Sequence, residues 1–568
     1  MKSLKTTAFA LVLAASFGIM ACNPLSKMAK NAEAVKYSVS PDPLEMHNDS
    51  VAIKISVKYP PNYFHKKAVI DVVPTLKYDG KEKEFPAQTL QGEAADGDGK
   101  VINYVKGGTL NYEDVIPYDK GMDVAELHVK AVGKVKTKSK TLGEMKLADG
   151  TDITPTLVKS DDRPIMGKDK FVKVVPKSMN AQINYLINSS YVQPKELNQD
   201  DIKALKTFVE EGVEKGWVFK GMNSQAYASP DGEISVNENL ANDRAESATS
   251  AIMRILKRAK VEGYDAEGFA TNTGKGEDWN GFKAAMQASD IKDKDLIIRI
   301  LSMYQDLNKR EQEIKNLAAT YVEVADRILP GLRRSVITMN AEEQARTDAE
   351  IQALLKSNPD TLSIEEMLYG ATLTNDMNEQ LNIFKTASRV HQGDWRGPNN
   401  VGYIYIMQNK VNDAEAEFKK ADGLSKDNAI VKNNLGVCAR LRGNRDGAMA
   451  MYNDASGAGA DVNYNMAIIQ IMKGDYAGAV GNMSGATTFN AALAKTLNGD
   501  HDGALKALEG SDDKATADGY YLKAIINAKK GDKSAAAQAL KNAIAKDASI
   551  KGKAAKNVVL LNAEVPMN

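Results

Sequence analysis

Apolar and polar positions alternate along the early part of the chain. Val51, Ile53, Ile55, Val57 and Tyr59 are separated by Ala52, Lys54, Ser56 and Lys58, a period of two that predicts a half-buried strand. Ala125, Leu127, Val129 and Ala131 repeat the pattern. Turn clusters such as Pro60-Pro61-Asn62, Tyr78-Asp79-Gly80 and Asp119-Lys120-Gly121 punctuate these runs, so residues 36–175 read as an antiparallel sandwich. Lys130, Lys134, Lys136, Lys138 and Lys140 are mostly two apart and are expected to share one solvated edge face.

After Pro176 the period changes from element to element. Ile183, Tyr185 and Ile187 alternate as a strand, residues 198–211 read as a helix with Asn198 as its cap, and residues 219–228 form a second strand. Residues 237–257 are a second helix, with Leu240, Ala245, Ala248, Ile252 and Leu256 near one face. Residues 294–329 form a longer helical stretch whose second half carries Ile314, Leu317, Tyr321, Val324 and Ile328 at 3-4 spacing, suited to a helical hairpin. Residues 333–340 return to strand character.

From Leu362 the chain is helical, rich in small residues and repetitive. Ala414-x3-Phe418 recurs as Ala448-x3-Tyr452, and Gly402 recurs as Gly436, each offset by 34 residues. The unit continues as Ala479-x3-Met483, Ala504-x3-Leu508 and Ala536-x3-Leu540, each after a Gly-Asp turn. This is the tetratricopeptide pattern, in which small residues let successive helix pairs stack. The array is expected over residues 362–555, with 346–361 as a linker and 556–568 as a tail.

The N-terminus changes how the rest is read. Lys2 and Lys5 precede an apolar run at residues 9–21, too short for a membrane span, which ends in Ile19-Met20-Ala21-Cys22. This resembles a bacterial lipobox, which implies a signal peptide over 1–21, lipidation at Cys22 and a tether over 22–35. Cys438 is then alone in an apolar helical context and reads as core. The five histidines have no metal-ligand spacing. With 74 basic and 74 acidic residues, the chain lacks the basic excess of a nucleic-acid binder. No H-E-x-x-H or G-x-S-x-G motif is present, and Gly268–Gly276 departs from a phosphate-binding loop in spacing and at Gly276. No enzymatic activity, cofactor or metal is expected.

The segment from Ala226 through Tyr227, Ser229, Asp231 and Glu233, followed by Asn237-x2-Leu240-Ala241-x2-Arg244-Ala245, resembles the OmpA-like peptidoglycan-associating domain. Arg333-Arg334-Ser335-Val336-Ile337 is similar to that family's closing strand, and the likeness covers about residues 178–340. It implies an α/β domain over 176–345 with a helical insertion at about 280–330. It also implies a peptidoglycan site at Tyr227, Ser229, Asp231, Asn237, Leu240, Arg244 and Arg334. An arginine fork suits the stem-peptide carboxylate, and in the family an aspartate meets the ammonium. Here Ser229 holds the aspartate's place, with Asp231 two residues on. Capture of the wall, recognition of a different stem peptide, and a purely scaffolding domain all stay open.

The expected architecture is therefore an immunoglobulin-like sandwich, an OmpA-like α/β domain and a tetratricopeptide solenoid. This combination resembles envelope lipoproteins of Bacteroidetes. The resemblance implies an outer-membrane lipoprotein, periplasm-facing because no acidic residue closely follows Cys22, that links membrane to peptidoglycan and offers its repeats to a protein partner. The alternative is an assembly factor for fimbriae or a secretion machine.

Overall fold

The structure, a computed structural model, describes residues 24–47 and 49–567. The signal-peptide-like segment and Cys22 lie outside the described residues. The chain divides into two units, one running to Lys168 and resuming at Met377, the other Asp169–Asp376.

The first unit begins with helix α1 (Pro24–Lys30), followed by strands β1 (Lys36–Ser40), β2 (Met46–His47), β3 (Ser50–Tyr59), β4 (Val69–Tyr78), β5 (Lys81–Glu84), β6 (Gln88–Gly92), β7 (Lys100–Ile102), β8 (Gly108–Pro117), β9 (Ala125–Val135) and β10 (Lys138–Gly150). One sheet gathers β1, β2 and β8 around β3; the other runs β10-β9-β4-β6-β7, with β5 also on β4. Pairing is antiparallel except between β6 and β7. The alternating apolar residues of β3 and β9 meet in one core, with Val51, Val57 and Leu127 fully buried.

Three expectations for this region change. Residues 24–35 are not a free tether, because α1 inserts Leu25 and Met28 into the sandwich core. Each such burial contributes about 1.5–3 kcal/mol. The lysine run does not share one face. Lys136 has φ 54° and sits in the turn between β9 and β10, which splits the run across two strands. The strands end at Gly150, and residues 158–168 leave the sheets as a strap with no regular secondary structure.

The second unit holds a four-stranded sheet in the order β11-β14-β12-β13. Its elements are β11 (Val174–Asn184), α2 (Asp200–Glu214), β12 (Val218–Ala228), α3 (Ile234–Ala259), β13 (Ala270–Glu277) and β14 (Arg334–Gln344). β12 and β13 are parallel, as a strand–helix–strand crossover requires, and the other neighbours are antiparallel. Ile202, Leu205 and Val209 of α2 and Ala248, Ile252 and Leu256 of α3 bury against Ile183, Met222 and Ile337 of the sheet. The glycine-rich segment that departs from a phosphate loop runs into strand β13.

The insertion is larger than a helical pair. It comprises α4 (Trp279–Ala288), α5 (Lys294–Met303), α6 (Leu307–Lys315), α7 (Ala318–Arg327) and α8 (Leu329–Leu332), with a core of its own built on Phe282, Met286, Ile297, Ile314 and Val324. The expected continuous stretch breaks where Tyr304 turns extended and the Asp306 side chain accepts from the Lys309 N–H, starting a new helix. Residues 346–361 are not a linker. They contain α9 (Asp348–Ser357), opened by a Thr347/Glu350 capping box, and α10 (Ile364–Thr372) follows with a Ser363/Glu366 box.

The first unit resumes as an array: α11 (Met377–Val390), α12 (Arg396–Met407), α13 (Val411–Leu424), α14 (Ala429–Leu441), α15 (Arg445–Asp454), α16 (Ala460–Lys473), α17 (Tyr476–Asn482), α18 (Phe489–Leu497), α19 (His501–Glu509), α20 (Ala517–Lys530), α21 (Lys533–Lys546), α22 (Ile550–Ala554) and α23 (Val558–Asn562). From α12 to α21 the helices pack as consecutive pairs, a tetratricopeptide-type solenoid. The 34-residue spacing has a direct cause. A Cβ on Gly402 would lie 2.6 Å from the Phe418 ring, and one on Gly436 would lie 2.5 Å from the Tyr452 ring. Each glycine is the space its own repeat's aromatic fills. The described part of the expected tail, residues 556–567, is packed, since Val558, Leu560 and Val565 bury against the last pair. Among the described residues, no helix is long and apolar enough to cross a membrane.

Candidate functional site

In the second unit, β12 delivers Tyr227 and Ser229 to the end of the sheet where α3 begins with Asn237 and Arg244 on its inner side. Arg244 is 1% exposed. Its Nε donates to the Ser189 carbonyl at 3.0 Å, Nη1 to the Tyr227 carbonyl at 2.9 Å and Nη2 to the Leu186 carbonyl at 3.3 Å. Burial draws its pKa down to about 10, so the guanidinium stays charged at neutral pH, surrounded by main-chain dipoles. The donors that the resemblance assigns to a ligand carboxylate are directed at the protein itself.

The Ser229 hydroxyl donates to Asp231 Oδ1 at 2.6 Å and accepts from Arg333 Nε at 3.0 Å, and Arg333 Nη2 pairs with Asp231 Oδ2 at 3.1 Å. The hydroxyl thus bridges an ion pair. Asn237 Nδ2 donates to Glu277 Oε1 at 2.8 Å, and burial holds that carboxyl above the usual range. Arg334 pairs with Asp278 at 2.5 Å, its guanidinium carbon 5.1 Å from the Tyr227 ring centre. Lys315 of the insertion donates to the Asp231 carbonyl at 3.3 Å. Leu240 joins none of these polar contacts. Sequence reasoning misses Arg333, Glu277, Asp278 and Lys315. The Arg333-Arg334 pair is visible in the chain, but the resemblance places only its second member in the site.

A second constellation, in the first unit, has no counterpart among the sequence expectations. The first helices of successive pairs present asparagine amides to the strap, and each amide pairs with main chain. The Lys159 N–H donates to Asn490 Oδ1 at 2.8 Å, while Asn490 Nδ2 donates to the Lys159 carbonyl at 2.9 Å. Asn465 does the same with Arg163 at 2.8 and 3.0 Å, Asn434 with Ile165 at 2.7 and 2.8 Å, and Asn400 with Gly167 at 2.7 and 2.9 Å. Asn433 and Asn399 add a donor each to the Arg163 and Ile165 carbonyls. Residues 163, 165 and 167 are paired in this way, the every-second-residue pattern of an extended strand whose ladder partner is a column of side chains.

Side chains of the strap are held as well. Asp162 makes a two-pronged ion pair with Arg440, whose side chain is 6% exposed against 2% for the aspartate. Tyr464 donates to Asp161 at 2.6 Å, and the Arg163 guanidinium lies 3.7 Å from the Tyr464 ring centre. A Cβ on Gly167 would be 2.6 Å from Arg396. The repeat face expected to meet a protein partner is therefore filled by the chain's own residues 159–167. Its signal is present in the sequence: Asn399-Asn400 and Asn433-Asn434 are 34 residues apart.

Cys438 is 1% exposed, and burial pushes its thiol up to about 12. Among the described residues no group of histidine, cysteine and acidic side chains could hold a metal ion.

No family model matches the chain, and no curated protein does. Solved structures include distant likenesses. A tetratricopeptide repeat protein from Parabacteroides merdae is 15% identical over 44% of this chain and 98% of its own, with a TM-score of 0.28. Pseudomonas aeruginosa pilF is 12% identical over 35% of this chain and 93% of its own, at 0.28. PilW, a type IV pilus biogenesis factor, is 19% identical over 35% and 94%, also at 0.28. The assignment of the array rests on its own glycine–aromatic pairs and helix pairing.

Proposed function

We propose that this chain is a non-enzymatic scaffold of the bacterial envelope, an outer-membrane lipoprotein acylated at Cys22 and facing the periplasm. The observation that carries the scaffold reading is the asparagine ladder. It fixes the strap that follows the sandwich onto the repeat array, so strap and array hold together through hydrogen bonds from asparagine side chains to strap main chain. Neutral amide pairs of this kind contribute about 0.5–1.5 kcal/mol each, and several in series make a firm clasp.

Peptidoglycan linkage, implied by the resemblance over residues 176–345, stands on a different footing. We assign that module a positioning role in the wall layer and not capture of a stem-peptide carboxylate by Arg244, whose three hydrogen bonds go to carbonyls. Co-sedimentation of the full chain with insoluble peptidoglycan tests this. Wall association unchanged by Arg244→Lys is the expected result, and failure of both proteins to sediment removes the module from the wall layer. Sedimentation abolished by that substitution, with folding intact, contradicts it.

The assembly-factor reading is favoured by one feature. The ladder addresses main chain, so an extended client segment could replace the strap without matching its sequence. In-cell crosslinking from Asn434 separates the two readings: crosslinks to residues 159–167 support the scaffold, and crosslinks to a foreign chain support the assembly factor.

A further inference from the structure

We propose that the face of the sandwich carrying α1 and the β9–β10 turn docks on anionic phospholipid headgroups. The inference rests on the lipoprotein reading above. α1 begins at Pro24, two residues after Cys22, and is pinned by Leu25 and Met28 in the sandwich core. An extended residue spans at most about 3.6 Å, so an acyl anchor at Cys22 would lie no more than about 7 Å of chain from α1. That is within the Debye length of ~8 Å at physiological salt, so charges on this face feel the bilayer surface.

The charged residues of α1 and of the β9–β10 turn are lysines. Lys27 and Lys30 of α1, Lys136 in the turn, and Lys138 and Lys140 of β10 are all exposed. The register pairs Lys138 with Val135 and Lys140 with Gly133, which puts both lysines on the face that α1 covers. Lys140 Nζ donates to Ser26 Oγ at 3.0 Å, and Leu25 occupies the space above Gly133, 2.8 Å from where a Cβ would stand. Lys130 and Lys134 lie on the opposite face, where Lys134 meets Asp71 at 3.7 Å. The nearest acid along α1 and its following turn is Glu33. A basic cluster beside a lipid anchor complements anionic headgroups, and its attraction is weakened by salt.

The test uses the mature chain from residue 22 with Cys22→Ser, so that no acyl group contributes. Its binding is measured to vesicles of phosphatidylglycerol with phosphatidylethanolamine, and to phosphatidylcholine alone. Binding to the anionic vesicles only, lost as salt is raised, is expected. The combined Lys27→Gln, Lys30→Gln, Lys138→Gln and Lys140→Gln variant should weaken it by more than about tenfold. Lys130→Gln with Lys134→Gln, on the other face, should leave it unchanged. Equal binding by all three proteins, equal binding to both vesicle types, or none to either overturns the proposal. Mass spectrometry of the Cys22 peptide from cells reads the lipoprotein premise separately. An unmodified Cys22 overturns that premise, whereas the vesicle result decides the lysine face on its own.

Discussion

The Arg244 site and the asparagine ladder are both polar clusters satisfied from within the chain, and they are satisfied in opposite ways. Around Arg244 a buried cation is solvated by carbonyls 17 to 58 residues away in the same module. In the ladder, neutral amides bind main chain 233 to 331 residues distant in sequence. Removing the carbonyls from Arg244 would strand a charge in the interior, which costs several kcal/mol. Releasing the strap frees neutral amides and peptide groups that water can satisfy, but it also parts the Asp162–Arg440, Lys159–Asp513 and Arg163–Asp461 pairs, breaks the Asp161–Tyr464 hydrogen bond and uncovers Ile165. The first is part of a module's core; the second is an internal complex between the strap and the repeat array.

The largest effect should come from breaking the first. Arg244→Ala leaves three carbonyls without their donors and a cavity under α3, a loss of about 3–5 kcal/mol measured by denaturant unfolding. Milder is Asn400→Ala combined with Asn434→Ala, at about 2–4 kcal/mol. Its signature differs: the helices stay folded by circular dichroism while residues 158–168 become open to limited proteolysis. Gly436→Ala drives a methyl into the Tyr452 ring and should cost about 1–3 kcal/mol by overpacking, read as a lowered melting temperature without strap cleavage.

The smallest effect is a pH dependence at Glu277, beside the Arg244 site. Burial raises the Glu277 carboxyl above its unfolded value near 4.5. The folded state then holds that proton more tightly, so Glu277's contribution is full below the unfolded value and is lost as pH rises through the folded one. Relative to Glu277→Gln, the wild-type protein should lose stability as pH rises above about 4.5. The ladder amides do not titrate, but burial also raises the strap's Asp161 and Asp162, so the clasp carries a pH dependence of the same sign.

Much of the scaffold is legible in the sequence because its causes are local. The alternation from Val51 to Tyr59 and the glycine–aromatic pairs at 34-residue spacing each encode a contact within one element or one repeat. The Arg244 motif locates its site but not its chemistry, since the carbonyls of Leu186 and Ser189 carry no side-chain signature. Leu25 and Met28 amid small polar residues read as tether, because the gap that receives Leu25 lies above Gly133, far along the chain. The strap has no period at all, and the ladder's partner is main chain, so the repeating asparagines point to a surface without naming what covers it.

Amide hydrogen exchange along residues 158–168 in the full chain tests the internal complex most directly. The structure requires slow exchange at the N–H groups of Lys159, Arg163, Ile165 and Gly167, which the ladder holds, and faster exchange at Ile165 in Asn434→Ala. Rapid exchange at all four in the wild-type protein would contradict the clasp, and with it the scaffold built on it.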